Sequence, residues 1–224
     1  MTSDGTGNDA SSEGMLADVE RYYSAKVRRH GPTALGVDWN SSMSQRLRFV
    51  QLLKVVDWRA PSVRLHDLGC GYGALLEHLD DRHAQAPLEY VGTDLSAPMI
   101  EHARQLWATH AHARFELASP RMPEADYTVA SGIFNICLDH PRSDWEPYVA
   151  ATLDRIHAAS LRGFAVNFMH PRTLIERPDI AGQVYTAEPA QWLGYCTDHL
   201  QCDVQCLKNY GLNEFTLLAT RAPS

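Results

Sequence analysis

HDLGCGYG, residues 66–73, is the stretch that decides the fold of this chain. The apolar run before it, residues 63–65, indicates a buried strand, and residues 74–79 after it show the pattern of an amphipathic helix. Glycines allow a tight turn and let a ligand approach where a Cβ would obstruct it. The N-terminus of the helix presents free N–H groups to a polar ligand group. The stretch therefore predicts a nucleotide-binding loop.

A second signal lies further along the chain. The run LEYVGTD, residues 88–94, predicts a strand that ends in an acid. A carboxylate at this place can accept both ribose hydroxyls of an adenosine. Two cofactor classes use such a layout. GxGxxA at residues 69–74 satisfies the pattern of NAD sites, and DxGxGxG at residues 67–73 satisfies that of S-adenosylmethionine (SAM) sites.

The remainder of the chain alternates predicted strands with predicted helices. The strands cover residues 63–67, 88–94, 113–117, 126–131, 163–169, 203–209 and 213–220, and the helices cover residues 15–30, 42–57, 74–81, 96–109, 143–159 and 187–200. This alternation predicts a doubly wound α/β fold with a mostly parallel seven-stranded sheet. Only residues 210–212 separate the last two strands, so we expect a C-terminal antiparallel hairpin.

Size and charge narrow the classes of function. With 224 residues the chain suffices for one α/β domain, but not for a nucleotide domain plus a separate catalytic domain. A net charge of −7 without a basic run argues against a nucleic-acid partner. No apolar run approaches the ~18 residues of a membrane span, so we expect no membrane partner. The five cysteines and the lack of a secretory signal favour a cytoplasmic protein.

DLGCGYG at residues 67–73 and GTDLSAPMI at residues 92–100 resemble the first two motifs of class I SAM-dependent methyltransferases. DYTVASGIFN at residues 126–135 resembles the fourth strand of that family and the turn on its substrate side. The resemblance implies SAM as cofactor, with S-adenosylhomocysteine (SAH) as product. It also implies a parallel sheet that ends in an antiparallel hairpin.

In the resembled family a helical segment before the first strand caps the cofactor. We therefore expect an N-terminal helical cap at residues 15–60 and a SAM-binding domain at residues 61–224. Residues 1–14 are rich in Ser, Gly, Asp and Asn and predict a disordered tail.

The resemblance assigns a set of cofactor-binding candidates. Asp67 would organise the glycine loop near the methionine ammonium, or else cap the next helix. Asp94 would accept the ribose hydroxyls, or act as a helix cap. Leu95 and Met99 would sandwich the adenine, or belong to the core. The full set is Asp67, Gly69, Cys70, Gly71, Asp94, Leu95, Met99, Ala118, Ser119, Ser131 and Gly132.

Adenine recognition departs from the pattern of the family. No acid or amide follows the third strand where that family often binds the adenine amine. The backbone of Ala118 or the hydroxyl of Ser119 would take this role.

Ser131 and Gly132 leave the fourth strand at its carboxyl end, which is the ligand side of an open α/β sheet.

The substrate-binding candidates lie at strand ends and in the first helix. Tyr23, Lys26 and His30 share one helical face. This face would hold the SAM carboxylate or an acidic substrate, or else be solvated. The set comprises Tyr23, Lys26, Asp38, Trp39, Phe134, Asn167 and His170.

The catalytic candidates are His30, His140 and Asn135. Histidine is neutral near pH 7 and can accept a proton, and His170 is a weaker alternative. Asn135 follows the fourth strand and would face the acceptor. A thiolate or a neutral amine as acceptor would need no base.

A run of cysteine and histidine, CxxHxxCxxxC at residues 196–206, resembles a set of metal ligands. It crosses from a predicted helix into a strand, where alternate side chains point to opposite faces. We therefore expect buried thiols and no bound metal. Arsenite methyltransferases also use cysteines, and Cys70 and Cys137 leave that alternative open.

The sequence favours SAM-dependent methyl transfer to a small-molecule metabolite. The Asn/Asp-Pro-Pro-aromatic motif of enzymes that methylate base amines in nucleic acids is absent from the fourth-strand turn. The alternatives are a non-catalytic SAM-binding or interaction protein, and a small NAD-dependent oxidoreductase. Whether the acceptor atom is O, N or S stays open, as does the oligomeric state.

Overall fold

A computed structural model describes residues 6–37, 41–84 and 86–221. One sheet contains seven strands: β1 (Val63–Leu68), β2 (Leu88–Asp94), β3 (Ala113–Leu117), β4 (Ala125–Ala130), β5 (Ser160–Met169), β6 (Cys202–Leu207) and β7 (Glu214–Arg221). Their order is β3-β2-β1-β4-β5-β7-β6. Strands β1 to β5 pair in parallel, and β7 lies antiparallel between β5 and β6. The predicted α/β sheet and its C-terminal hairpin are confirmed.

The described residues form seven α-helices: α1 (Thr6–His30), α2 (Ser42–Leu52), α3 (Ala74–His83), α4 (Ala97–Leu106), α5 (Arg142–Ala159), α6 (Arg172–Glu176) and α7 (Pro189–Gly194). Short helical turns continue α2 through Val55 and α7 through His199. Helix α6 was not predicted, because five residues are too few to show a helical period. None of the helices in the described ranges has the length and apolar character needed to cross a bilayer.

The structure corrects the predicted start of the first helix. Helix α1 begins at Thr6, whereas the sequence predicted a start at Met15 after a disordered tail. Extending an existing helix adds one hydrogen bond for each residue ordered, and nucleation is the costly step. Ala10 and Glu13 favour helix, so the segment before Met15 can continue it.

Two apolar cores cover the two faces of the sheet. Strand β5 sends Phe164 and Phe168 into one core, with α5 and α7, and Ala165 into the other, with α2, α3 and α4. Successive side chains of a strand point to opposite faces, so both faces of β5 are buried. Met15 and Val19 of α1 join the first core. This packing brings α1 next to the carboxyl edge of the sheet.

Candidate functional site

The loop between β1 and α3 turns at glycines with left-handed backbone. The φ angles are 76° at Gly69 and 55° at Gly71. Side chains other than hydrogen strain this conformation. A Cβ at Gly69 would also collide with the Ile133 side chain, and one at Gly71 would lie 2.9 Å from Val37 Cγ1. The loop therefore closely approaches both the turn after β4 and the segment that follows α1.

Backbone and carboxylate acceptors from β2 hold this loop. The Thr93 carbonyl accepts the N–H of Gly69 at 2.7 Å, and Asp94 Oδ2 accepts that of Gly71 at 2.9 Å. Asp94 Oδ1 accepts the N–H of Ser96 at 2.8 Å. Each carboxylate oxygen has two lone pairs, so Asp94 retains acceptor capacity for a ligand hydroxyl.

Asp67 lies buried beneath the loop at the end of β1. Its Oδ2 accepts a hydrogen bond of 2.6 Å from the Tyr90 hydroxyl. Burial raises the pKa of Asp67 from 3.8 to about 7, the Tyr90 hydrogen bond opposes this shift, and the charge of Asp94 adds to it. A cationic ligand group beside Asp67 would favour its ionised form.

These groups face one cavity of about 1080 Å³. Its lining contains every residue that the sequence predicted for the cofactor: Asp67, Gly69, Cys70, Gly71, Asp94, Leu95, Met99, Ala118, Ser119, Ser131 and Gly132. The structure thus brings residues from four separate stretches of chain together. Their individual contacts with a ligand stay predictions.

The groups proposed for adenine already have partners. The Ala118 N–H donates to the carbonyl of Asp94 at 2.8 Å, and the Ser119 hydroxyl donates to the carbonyl of Arg121 at 2.8 Å. The Ser119 oxygen can still accept a hydrogen bond from an amine. Ser131 differs, because its buried hydroxyl has no hydrogen-bond partner among the described residues. That hydroxyl is available to a ligand.

The acceptor-side candidates are dispersed. Among those within the described ranges, Tyr23 alone lines the cavity. The Lys26 ammonium lies 5.1 Å from the centroid of the Tyr22 ring, away from the lining. Asp38 and Trp39 fall outside the described residues.

Two candidates are core residues rather than cavity residues. Phe134 is fully buried and stacks on Phe168 with 5.2 Å between ring centroids. Asn167 is fully buried behind the cavity wall, where its Oδ1 accepts the Gly132 N–H at 2.7 Å. The chain turns back into the core after β4. A position close in sequence to the carboxyl end of a strand therefore did not guarantee that the side chain faces the cavity.

The proposed catalytic side chains also lie outside the lining. His30 is exposed at the end of α1, and His140 Nε2 lies 3.1 Å from Asp18 Oδ2. His170 Nδ1 accepts the backbone N–H of Arg172. Asn135 is buried, and no described residue hydrogen bonds to its side-chain amide. The geometry therefore places no predicted histidine base at the cavity.

Sequence reasoning missed part of the wall. Leu16, Val19 and Glu20 of α1 line the cavity together with Tyr23, and Gln45 of α2 does so too. The four α1 positions recur at helical spacing, which is a signal the sequence carries. The Glu20 carboxylate accepts a hydrogen bond of 2.6 Å from the Ser24 hydroxyl.

The cysteine run forms part of the core. Cys196 and Cys202 are buried, and Cys202 Sγ lies 3.4 Å from His157 Nδ1. Burial raises the pKa of both thiols above the usual range. In the ranges that the structure covers, no group of three or more His, Cys, Asp or Glu side chains is arranged to hold a metal ion.

Comparisons with known proteins agree on one family. The family described as "Methyltransferase domain" matches residues 66–161, from the glycine loop to the start of β5. A protein of Mycobacterium tuberculosis (strain ATCC 25618 / H37Rv), whose name assigns it provisionally to the methyltransferases, is 39% identical over 158 residues. The match covers 70% of this chain and 93% of that protein.

Solved structures share the fold at low identity. Magnesium protoporphyrin IX methyltransferase from Synechocystis PCC 6803 with bound SAH gives a TM-score of 0.64 at 17% identity, covering 92% of this chain and 99% of that one. Human N-acetylserotonin methyltransferase in complex with SAM gives a TM-score of 0.57 at 19% identity. The match covers 95% of this chain and 67% of that one.

Proposed function

Since the chain belongs to the class I SAM-dependent methyltransferases, we propose that it methylates a small-molecule acceptor held beside SAM in the cavity of about 1080 Å³. The unpartnered Ser131 hydroxyl and the acceptor capacity that Asp94 retains fit a polar ligand beside the loop. SAM supplies a methyl group that its positively charged sulfur already activates.

The cofactor half of the cavity has a defined set of polar groups. In the proposed arrangement Asp94 accepts the ribose hydroxyls with the lone pairs that Gly71 and Ser96 leave free. Asp67 supplies negative charge near the methionine ammonium, and Ser131 offers its hydroxyl. The described cavity wall also carries the acid Glu20. These carboxylates complement the positive charge of the cofactor, although the lining also contains Arg114, Arg121 and Arg155.

The size of the cavity is the observation that carries the proposal of a small acceptor. A site for one drug-sized ligand has a volume of ~300–1,000 Å³, so about 1080 Å³ leaves room beside the cofactor. The part of the wall proposed to hold the acceptor is apolar and aromatic, and it consists of Leu16, Val19, Tyr23 and Ile133. The two structural neighbours named above carry names of small-molecule methyltransferases, which supports the same class.

The chain's own contribution is positioning. The acceptor, the methyl carbon and the sulfur must lie in line, and such positioning can supply ~7–11 kcal/mol of the barrier. Helix α1 contributes Leu16, Val19, Glu20 and Tyr23 to the wall of the cavity. Because none of the predicted histidines lines the described wall, we propose that the acceptor reacts without a histidine base.

The test uses SAM labelled in its methyl group. The protein is incubated with a metabolite extract, with total RNA or with a protein extract, and each mixture is separated by size. We expect label in the small-molecule fraction and its loss in an Asp94→Asn variant that still folds. Label found only in the RNA or protein fraction would contradict the proposed acceptor class, while failure to bind SAH would contradict the cofactor site.

A further inference from the structure

A buried series of polar contacts connects α2 to the turn after β4. The Gly132 N–H donates to Asn167 Oδ1 at 2.7 Å, and Asn167 Nδ2 donates to Glu214 Oε2 at 2.7 Å. The Arg48 guanidinium donates to both oxygens of Glu214, with Nε to Oε2 at 2.9 Å. The exposed fractions are 7% for Arg48, 0% for Asn167 and 6% for Glu214.

The fold explains how distant residues meet. In the β5–β7 pairing Asn167 lies opposite Thr216 and Met169 opposite Glu214. Glu214, the first residue of β7, therefore lies diagonally across from Asn167, two residues before Thr216. Arg48 lies in the middle of α2, which packs on the same two strands. Gly132 has a φ of 73°, and its N–H points out of the turn toward β5.

One end of this series lines the cavity, and the other end lies on a helix that contributes to the lining. Gly132 lines the cavity at the turn after β4, and Gln45 and Phe49, close to Arg48 on α2, line it too. Asn167, Glu214 and the guanidinium of Arg48 lie behind the lining. The contacts therefore link the turn at Gly132 to the part of α2 that carries Gln45 and Phe49, two parts of the wall that are distant in sequence.

Stability alone does not account for a buried ion pair at this place. Removing a guanidinium and a carboxylate from water costs free energy, and well-packed apolar residues of similar volume are often as stabilising. The ion pair adds a fixed orientation, because a bidentate contact holds the guanidinium and the carboxylate in one relative geometry. The geometry specified here is that of α2 relative to the Gly132 turn.

We propose that Arg48 and Glu214 are positioning residues for methyl transfer, which act through Asn167 on the Gly132 turn and so set the shape of the cofactor cavity. They touch neither the cofactor nor the reacting atoms. The inference rests on the proposed cofactor site.

The test separates positioning from stability. Glu214→Gln removes the charge that pairs with Arg48, and the double variant Arg48→Met/Glu214→Leu replaces the pair by apolar side chains. SAH is the probe, with its affinity measured by calorimetry and the Tm measured in parallel. The control is Arg46→Met on the same helix, because Arg46 is exposed and its ion pair with Asp81, at 3.6 Å, lies on the surface.

We expect Glu214→Gln to lower the Tm and to weaken SAH binding by about 3- to 30-fold, the range for residues that couple to a site through others. The double variant should recover the Tm but not the affinity. Arg46→Met should change neither. A double variant with recovered Tm and wild-type affinity for SAH would show that the pair is only structural and would overturn the proposal.

A second variant covers a failure of the double variant to fold. Arg48→Lys keeps the charge but loses the fork that contacts both carboxylate oxygens. Folded Arg48→Lys is expected to bind SAH more weakly than the wild type, and equal binding would overturn the proposal. If the wild-type protein itself does not bind SAH, the cofactor site fails instead.

Discussion

The hydroxyls of Ser24 and Ser96 form a buried hydrogen bond of 2.7 Å that joins α1 to the N-cap of α4. The Ser24 proton is directed to Glu20, so Ser96 is the donor in this pair. Ser96 in turn follows Asp94 and donates its backbone N–H to that carboxylate. Helix α1 is thereby attached next to the proposed ribose site.

The first prediction concerns this attachment. Ser24→Ala leaves the buried Ser96 hydroxyl without its acceptor, so the free energy of unfolding should fall by about 1–3 kcal/mol. Urea titration measures the change. Ser143→Ala is the matched control, because Ser143 is exposed on α5 and should alter stability little. Equal stability of the two variants would contradict the proposed attachment.

The second prediction concerns Asp94. Asp94→Asn removes the charge that two ligand hydroxyls would use, and charge-assisted hydrogen bonds are worth about 1.5–3 kcal/mol each. We therefore expect SAH affinity to fall at least ~10-fold. Calorimetry measures it, with Asp203→Asn on the exposed edge strand β6 as control. Undiminished affinity in a folded Asp94→Asn protein would remove this residue from the ribose site.

The third prediction concerns pH. The pKa of Asp67 is raised from 3.8 to about 7, chiefly by burial. Without ligand, the folded protein holds a proton there that the unfolded chain releases, so this group's contribution to stability falls as the pH rises from 3.8 to about 7. A cationic cofactor favours the ionised form, so SAM affinity should instead increase as the pH rises through about 7.

Calorimetry between about pH 6 and pH 8, in buffers of different ionisation enthalpy, measures the affinity and the proton released on binding. Tyr90→Phe should move the transition to higher pH, because the Tyr90 hydrogen bond lowers the pKa of Asp67. If the affinity is independent of pH in both proteins, the ionisation of Asp67 is not coupled to cofactor binding.

The fourth prediction concerns the histidines. His30→Ala and His170→Ala should each keep the rate of methyl transfer within ~10-fold of wild type, because general-base catalysis would be worth ~10²–10⁴-fold and neither residue lines the cavity. The pH–rate profile, once an acceptor is known, is the measurement. A loss larger than ~100-fold for His30→Ala, with a changed profile, would restore His30 as the base.

Local signals were sufficient for the fold and for the cofactor candidates. The turn at residues 66–73 needs glycine for its left-handed backbone, which is a local property, and the acid that ends β2 follows from the strand pattern. Parallel strands bring their carboxyl ends to one edge, so residues at successive strand ends meet in one cavity. The sequence by itself therefore determined the sheet, the hairpin and the group of residues around the glycine loop.

Only the tertiary structure decided which residues reach the cavity and which lie behind it. Phe134 follows β4 and Asn167 lies near the end of β5, yet both are buried, since depth depends on how the other elements pack over them. Arg48 and Glu214 are 166 residues apart in sequence, and nothing local to either one indicates the other. Their contact depends on β7 inserting between β5 and β6, which is a long-range property of the packed chain.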